Sequence, residues 1–196
     1  NKGGCTAFQS ACYNGHSEIA EMIMKTSSEL NINLNSKNNS GLSAFHLACS
    51  NGLLKIAEMM MKNSSLLKID LNIKDNDEHT AFHLACRDGH SDIAEIIMKM
   101  SSLLKIEMNS KNKWGETAFH LACCSLLKDF DVFVFYSDIA EMILKNASEL
   151  KIDLNSKNKW GETAFHLACC SLKDFDVFDC YSDIAEMILK NASELK

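Results

Sequence analysis

The sequence predicts an all-α fold: a solenoid of five stacked helix pairs joined by short β-hairpin or loop connections. Three observations carry this. A heptapeptide ending in cysteine recurs five times, as TAFQSAC, SAFHLAC and three copies of TAFHLAC. Its alanines Ala7, Ala44, Ala81 and Ala118 are each 37 residues apart and Ala164 follows after 46, and a fixed period of this size marks units that must stack to bury a core. The 196 residues include no proline and only eight glycines, so the chain carries few helix breakers.

Composition narrows the class further. Hydrophobic residues make up 46% and charged residues 23%, ordinary for a globular domain and unlike disordered or collagen-like chains. No apolar run approaches the ~18 residues of a membrane span. A net charge of −6 and a single arginine, Arg87, oppose a nucleic-acid or anionic-membrane surface. The opening Asn1-Lys2-Gly3-Gly4 shows no signal-peptide pattern. Of nine cysteines, Cys12, Cys49, Cys86, Cys123 and Cys169 each close one heptapeptide, which reads as a small buried core position. Cys5, Cys124, Cys170 and Cys180 show no Cys-x-x-Cys spacing, and the total is odd. The expected setting is therefore reducing and intracellular, cytoplasmic with the nucleus left open.

In the third unit, EHTAFHLACRDGHSDIAEIIMKMSSLLKIEMN, each predicted element has a local cause. Thr80 is an N-cap, its hydroxyl placed to accept from the first turn of a short helix over Ala81–Arg87. Asp88-Gly89-His90 breaks that helix, glycine supplying a left-handed turn. Ser91 is expected to cap the second helix, with Asp92 and Glu95 favoured by its N-terminal dipole. Ile93, Ala94, Ile96, Ile97, Met98 and Met100 form an apolar face wider than one helix pair can cover. The methionines Met22, Met24, Met59, Met60, Met61, Met98, Met142 and Met187 fall at core spacing in second helices, where they fill irregular gaps. In unit two, Gly52-Leu53-Leu54-Lys55 lacks a hydroxyl cap and sets a lysine against the dipole. Unit three carries Glu78 where the other units have a hairpin glycine.

Units four and five are near-copies that have lost the glycine-histidine turn. CSLLKDFDVFVFY (124–136) and CSLKDFDVFDCY (170–181) replace it. Their Phe130, Phe133, Phe135, Phe175 and Phe178 are apolar, and the stretch 129–135 is rich in strand formers. Three readings stand: a core extension, an exposed patch for a partner or for self-association, or segments without fixed order.

These units resemble ankyrin repeats, whose pattern reads roughly D-V-N-A-K-D-x-x-G-x-T-P-L-H-L-A-A-x-x-G-H-x-E-I-V. The chain offers IDLNSKNKWGETAFHLACC at 152–170 and GHSDIAEII at 89–97. The resemblance spans nearly the whole chain as one domain, 1–196, with repeats at about 2–35, 39–72, 76–109, 113–155 and 159–196. Alanine stands where the family has its helix-opening proline, and four extra residues per repeat fall after the second helix. Those residues lengthen the helix by a turn or loosen the loop.

The resemblance implies a non-catalytic scaffold, intracellular and without cofactor, that binds another protein through hairpin tips and first-helix surfaces. The candidate contacts are Asp77, Lys113, Trp114, Lys159 and Trp160 on the tips, and Tyr13, Arg87 and Asp88 at first-helix ends. Local packing of the tryptophans and plain solvation of the polar residues are the alternatives. The His83/Cys86 pair and its equivalents provide two donors per unit where zinc takes four, so no metal site is expected, and the family histidine is a structural hydrogen-bonding residue. Catalytic residues are none: one set of residue types repeated along a line does not converge on a pocket. Asn72 and Asn155 match the hairpin asparagine that is β-hydroxylated in some family members, with a turn-stabilising role as the alternative. Two other functions compete: self-assembly through the inserts, and a spacer in a larger enzyme, channel or ubiquitin-ligase adaptor. The truncated look of both ends suits the second.

Overall fold

The computed structural model describes residues 3–124 and 133–170 together with Glu186; of 133–137 and Cys170 only the backbone is described. Helices α1 (Ala7–Tyr13), α3 (Ala44–Ser50), α5 (Ala81–Arg87), α7 (Ala118–Cys124) and α9 (Ala164–Cys170) are the short first helices. Helices α2 (Ser17–Thr26), α4 (Leu54–Leu67), α6 (Ser91–Leu104) and α8 (Phe133–Asn146) are the second helices. Each first helix packs on the next, each second helix on the next, and the two layers meet within every pair. Four pairs and the first helix of a fifth are described. The second helix of unit five lies outside the described residues apart from the helical Glu186.

The first helices start where the hydroxyls stand. Thr6, Ser43 and Thr80 adopt extended backbone and accept from the amide of N3, and the N3 side chain of Gln9, His46 or His83 accepts from the cap amide in return. This reciprocal box satisfies two orphan donors per helix. Ser91 does not cap α6. The N-cap is His90, which makes no side-chain cap bond, and Ser91 is the first helical residue. Second helices α2, α4 and α6 all lack a side-chain cap. The weak start of α4 therefore comes from Lys55 standing where Glu18 and Asp92 occupy the first turns of α2 and α6.

In units two and three the four extra residues lengthen the second helix. Helices α4 and α6 run for 14 residues and stop at Lys68 and Lys105, both left-handed. In units one and four the same stretch is a series of turns ending at left-handed Asn31 and Lys151. All four units close with one bond 2.9 Å long, from the amides of Ile32, Ile69, Ile106 and Ile152 to the carbonyls of Ser27, Ser64, Ser101 and Ala147. This is the helix-ending geometry that glycine ordinarily serves.

The expected β-hairpins are tight turns, with no strand among the described residues. Asn38, Asp75, Asn112 and Asn158 each accept two backbone amides across the tip. The residue three further on is left-handed: Gly41, Gly115 and Gly161, with φ 78–80°, and Glu78 at φ 62°.

The core runs unbroken along the stack. Phe8, Phe45, Phe82 and Phe119 and the cysteines Cys12, Cys49, Cys86 and Cys123 are buried in register, and Ile56, Met60, Ile93, Ile97, Ile139 and Ile143 fill the space between layers. Each such side chain contributes ~1.5–3 kcal/mol when fully buried. The methionines predicted as filler divide: Met24, Met60, Met61 and Met98 are buried, whereas Met22 is exposed.

Candidate functional site: the hairpin tips and first-helix ends

A backbone ladder positions the tips. The amides of Asn39, Asn76, Lys113 and Lys159 donate to the carbonyls of Gly3, Ser40, Asp77 and Trp114 in the preceding tip, at 2.9–3.2 Å. Two side-chain ladders run beside it. Lys37, Lys74 and Lys111 donate through Nζ to the carbonyls of Lys74, Lys111 and Lys157. Asn35, Asn72 and Asn109 each clamp the next repeat, Nδ2 donating to the carbonyl of Lys68, Lys105 or Lys151 and Oδ1 accepting from the amide of Asp70, Glu107 or Asp153. The tips are thus fixed relative to one another, and their outward side chains differ from unit to unit.

Three predicted residues converge. The Lys113 ammonium pairs with Asp77 and sits 4.5 Å from the centroid of the Trp114 ring. Trp114 also leans on His79 of the preceding tip, with ring centroids 5.6 Å apart. It is half-buried, so local packing holds for this tryptophan. Trp160 is 65% exposed, and the residue at the place of His79 in the tip before it is Glu116. Lys159 beside it is exposed. Arg87 and Asp88 face each other in a bidentate pair, 2.8 and 2.9 Å, and Tyr13 is exposed at the end of α1. Asn72 is engaged at both side-chain atoms in its clamp, while Asn155, the equivalent in unit five, is exposed.

His79 is the residue that sequence reasoning missed. Its ring is buried beside Asp75, 3.4 Å away, and in contact with Asn112, His83 and Trp114. The available signal was the substitution itself, since the equivalent positions are Cys5, Leu42, Glu116 and Glu162. Burial pushes the Asp75 carboxyl up, but the hydrogen bonds it accepts from His79 and the Asp77 amide outweigh this and hold it below its ordinary value.

The histidine–cysteine pairs are chemically quiet. Burial lowers His46, His83 and His120, His83 to about 4. Burial pushes the thiols up, Cys12 to about 12 and Cys49, Cys86 and Cys123 further. Both ring nitrogens of each of these histidines are engaged: Nδ1 with the cap, Nε2 with a carbonyl of the next repeat. Among the described residues, no three of His, Cys, Asp and Glu come together as a metal-binding group. No described helix is long and apolar enough to cross a membrane.

Of the insert patch, Phe130, Phe175 and Phe178 lie outside the described residues, as does most of 124–136 and 170–181. Phe133 and Phe135 belong to α8, whose backbone begins four residues before Ser137, the equivalent of Ser91. The strand-forming composition of 129–135 thus gives way to helix at its C-terminal end. Continuation into the long apolar-faced helix satisfies the backbone there.

This geometry defines the class: an all-α repeat solenoid with two helical layers and a line of rigid tips. The family model for ankyrin repeats matches residues 1–68 and 64–152, and the chain belongs to the ankyrin repeat family. Units one to three and unit four as far as residue 152 fall within the match, and α9 repeats their first helix beyond it. No curated protein matches the chain at a significant level. Ankyrin repeats generally mediate protein–protein interaction and are typically non-catalytic.

Proposed function

We propose that the chain is a protein-interaction scaffold that holds another protein against its hairpin tips and first-helix ends. The observation that carries the reading is Trp160, a large aromatic 65% exposed on a tip whose backbone is tied to the preceding repeat. A rigid aromatic presented in this way is the commonest kind of interface anchor. Tyr13 and the Arg87–Asp88 pair supply further contacts at the first-helix ends, and Asp77, Lys113 and Trp114 form a preassembled charged and aromatic knob one tip earlier. Because the ladders hold the tips in the free protein, little ordering entropy opposes binding.

The test is affinity capture from native cell extract with wild type and with Trp160→Ala/Tyr13→Ala, after showing equal urea midpoints for the two. A protein retained by wild type and lost by the variant supports the reading; identical captured sets refute it. Intact mass of protein from native cells tests hydroxylation of Asn72 and Asn155, which would add one oxygen per site.

A further inference from the structure

Tips four and five share one sequence, Asn-Lys-Trp-Gly-Glu, at 112–116 and 158–162. They also share one backbone: Asn112 and Asn158 accept the same pair of amides, and Gly115 and Gly161 are both left-handed at φ 80°. The surroundings of their side chains differ. In tip four the Lys113 ammonium pairs with Asp77 and lies 4.5 Å from the centre of the Trp114 ring, and that ring leans on His79 with centroids 5.6 Å apart. Asp77 and His79 both belong to tip three. In tip five, Lys159 makes no ion pair and Trp160 no ring contact among the described residues, and both are exposed.

The difference is set by the tip that comes before. The two ring contacts of Trp114 come from its own tip and from tip three, whereas the tip after it meets Trp114 through the backbone, the Lys159 amide donating to the Trp114 carbonyl at 2.9 Å. Where tip three offers Asp77 and His79 to tip four, tip four offers Trp114 and Glu116 to tip five. The Glu116 carboxylate turns back on Asn112 at 2.8 Å and the Glu162 carboxylate on Asn158 at 3.0 Å. Tip five thus repeats a cation and an indole whose partners, present one tip earlier, are missing from the tip beside it.

We propose that tip five recognises on its protein partner what tip three supplies to tip four: a turn carrying an acidic side chain and a flat ring two residues further on. The carboxylate pairs with the Lys159 ammonium and the ring packs on the Trp160 indole, as Asp77 and His79 do with Lys113 and Trp114. Tip four is in this sense a self-complexed copy of the site. A charge-assisted bond fixes the acid, and an aromatic or imidazole ring suits the indole face. The proposal rests on the reading of the tips as a partner-binding surface and gives that partner its chemistry.

Selection of disulfide-closed random peptides displayed on phage tests it, with the full chain as target and Lys159→Glu and Trp160→Ala as comparison targets. Both positions are exposed, so circular dichroism of each variant is expected to match wild type. Wild type is expected to enrich peptides with Asp or Glu two positions before His, Phe, Tyr or Trp. Those peptides are expected to bind each variant at least about tenfold more weakly, the effect of losing a charge-assisted bond or an aromatic anchor. Selection repeated on Lys159→Glu is expected to exchange the acid for Lys or Arg. Enriched peptides that need Trp160 but lack the acid and ring overturn the proposal while leaving the tips a binding surface. Peptides bound equally by wild type and both variants overturn it too, as does a selection that enriches nothing; capture from native extract with Trp160→Ala/Tyr13→Ala then decides the broader reading by itself.

Discussion

His83 and Glu116 join two repeats through one hydrogen bond: the imidazole Nε2–H donates to the Glu116 carbonyl at 3.2 Å. The tautomer follows from the other nitrogen, Nδ1, which accepts from the Thr80 amide at 3.2 Å and so carries no proton. A single side chain therefore closes the cap of its own helix and staples it to the next unit. Gln9 does the same in unit one, Oε1 accepting from Thr6 at 2.8 Å and Nε2 donating to the Leu42 carbonyl at 2.9 Å.

That equivalence sets the first prediction. His83→Ala leaves a buried amide and a carbonyl without their partner and opens a cavity, costing about 2–4 kcal/mol. His83→Gln keeps both bonds, as Gln9 does, and is expected to cost less than about 1 kcal/mol. Urea unfolding of the two variants checks the difference.

The histidines also set a pH dependence. Burial holds His46, His83 and His120 below the ordinary 6.5, His83 at about 4. Between these values the unfolded chain binds protons that the folded chain refuses, so stability is full above pH 6.5 and falls as pH drops towards 4. His83 contributes a slope of up to about 1.4 kcal/mol per pH unit within that window, and His46 and His120 add to the fall in the same direction. Urea midpoints are expected to fall from pH 7.5 to pH 5, and less steeply in His83→Gln.

Glu78 occupies a left-handed turn, φ 62°, that glycine fills in the other described tips. Glu78→Gly relieves the Cβ strain, partly offset by a freer unfolded chain, and is expected to raise stability by roughly 0.5–1 kcal/mol. The reverse change, Gly41→Ala, places a Cβ 2.5 Å from the Asn76 amide nitrogen and is expected to destabilise. Thermal melts of both variants give the signs.

Ala81 is the first residue of α5, and Thr80 before it is extended, φ −89° and ψ 168°. Both conformations suit a proline at Ala81. Ala81→Pro is expected to raise stability by ~0.4–1 kcal/mol by restricting the unfolded chain; a lower melting temperature would count against it.

Cys12, Cys49, Cys86 and Cys123 are buried, with thiols held well above their ordinary range. Since the thiolate is the nucleophile, these four are expected to resist alkylation in the native protein and to react fully in denaturant. Peptide mapping after alkylation reads each one separately.

Local chemistry made the helical layers legible. The hydroxyl before each Ala-Phe pair, the Gly-His breaks and the periodic apolar residues are short-range signals, and α5 begins and ends at the predicted residues, Ala81 and Arg87. Two readings that depended on neighbours fared differently. Ser91 has the chemistry of a cap, yet the chain enters α6 one residue early, at His90. Trp114 and Trp160 are equivalent in sequence and differ in exposure, because Trp114 leans on His79 and the tip preceding Trp160 carries Glu116 at that place.

The repeat, its register, the capped first helices and the cysteine core are legible in the residues alone, because each follows from residues within one unit. Folding in three dimensions was needed to show that the asparagine and lysine ladders bridge units, that His79 is a buried platform, and that Trp114 leans on a neighbour while Trp160 meets solvent. Those properties belong to junctions between residues 33 or more positions apart, and the pattern within a single repeat carries no record of what lies against it.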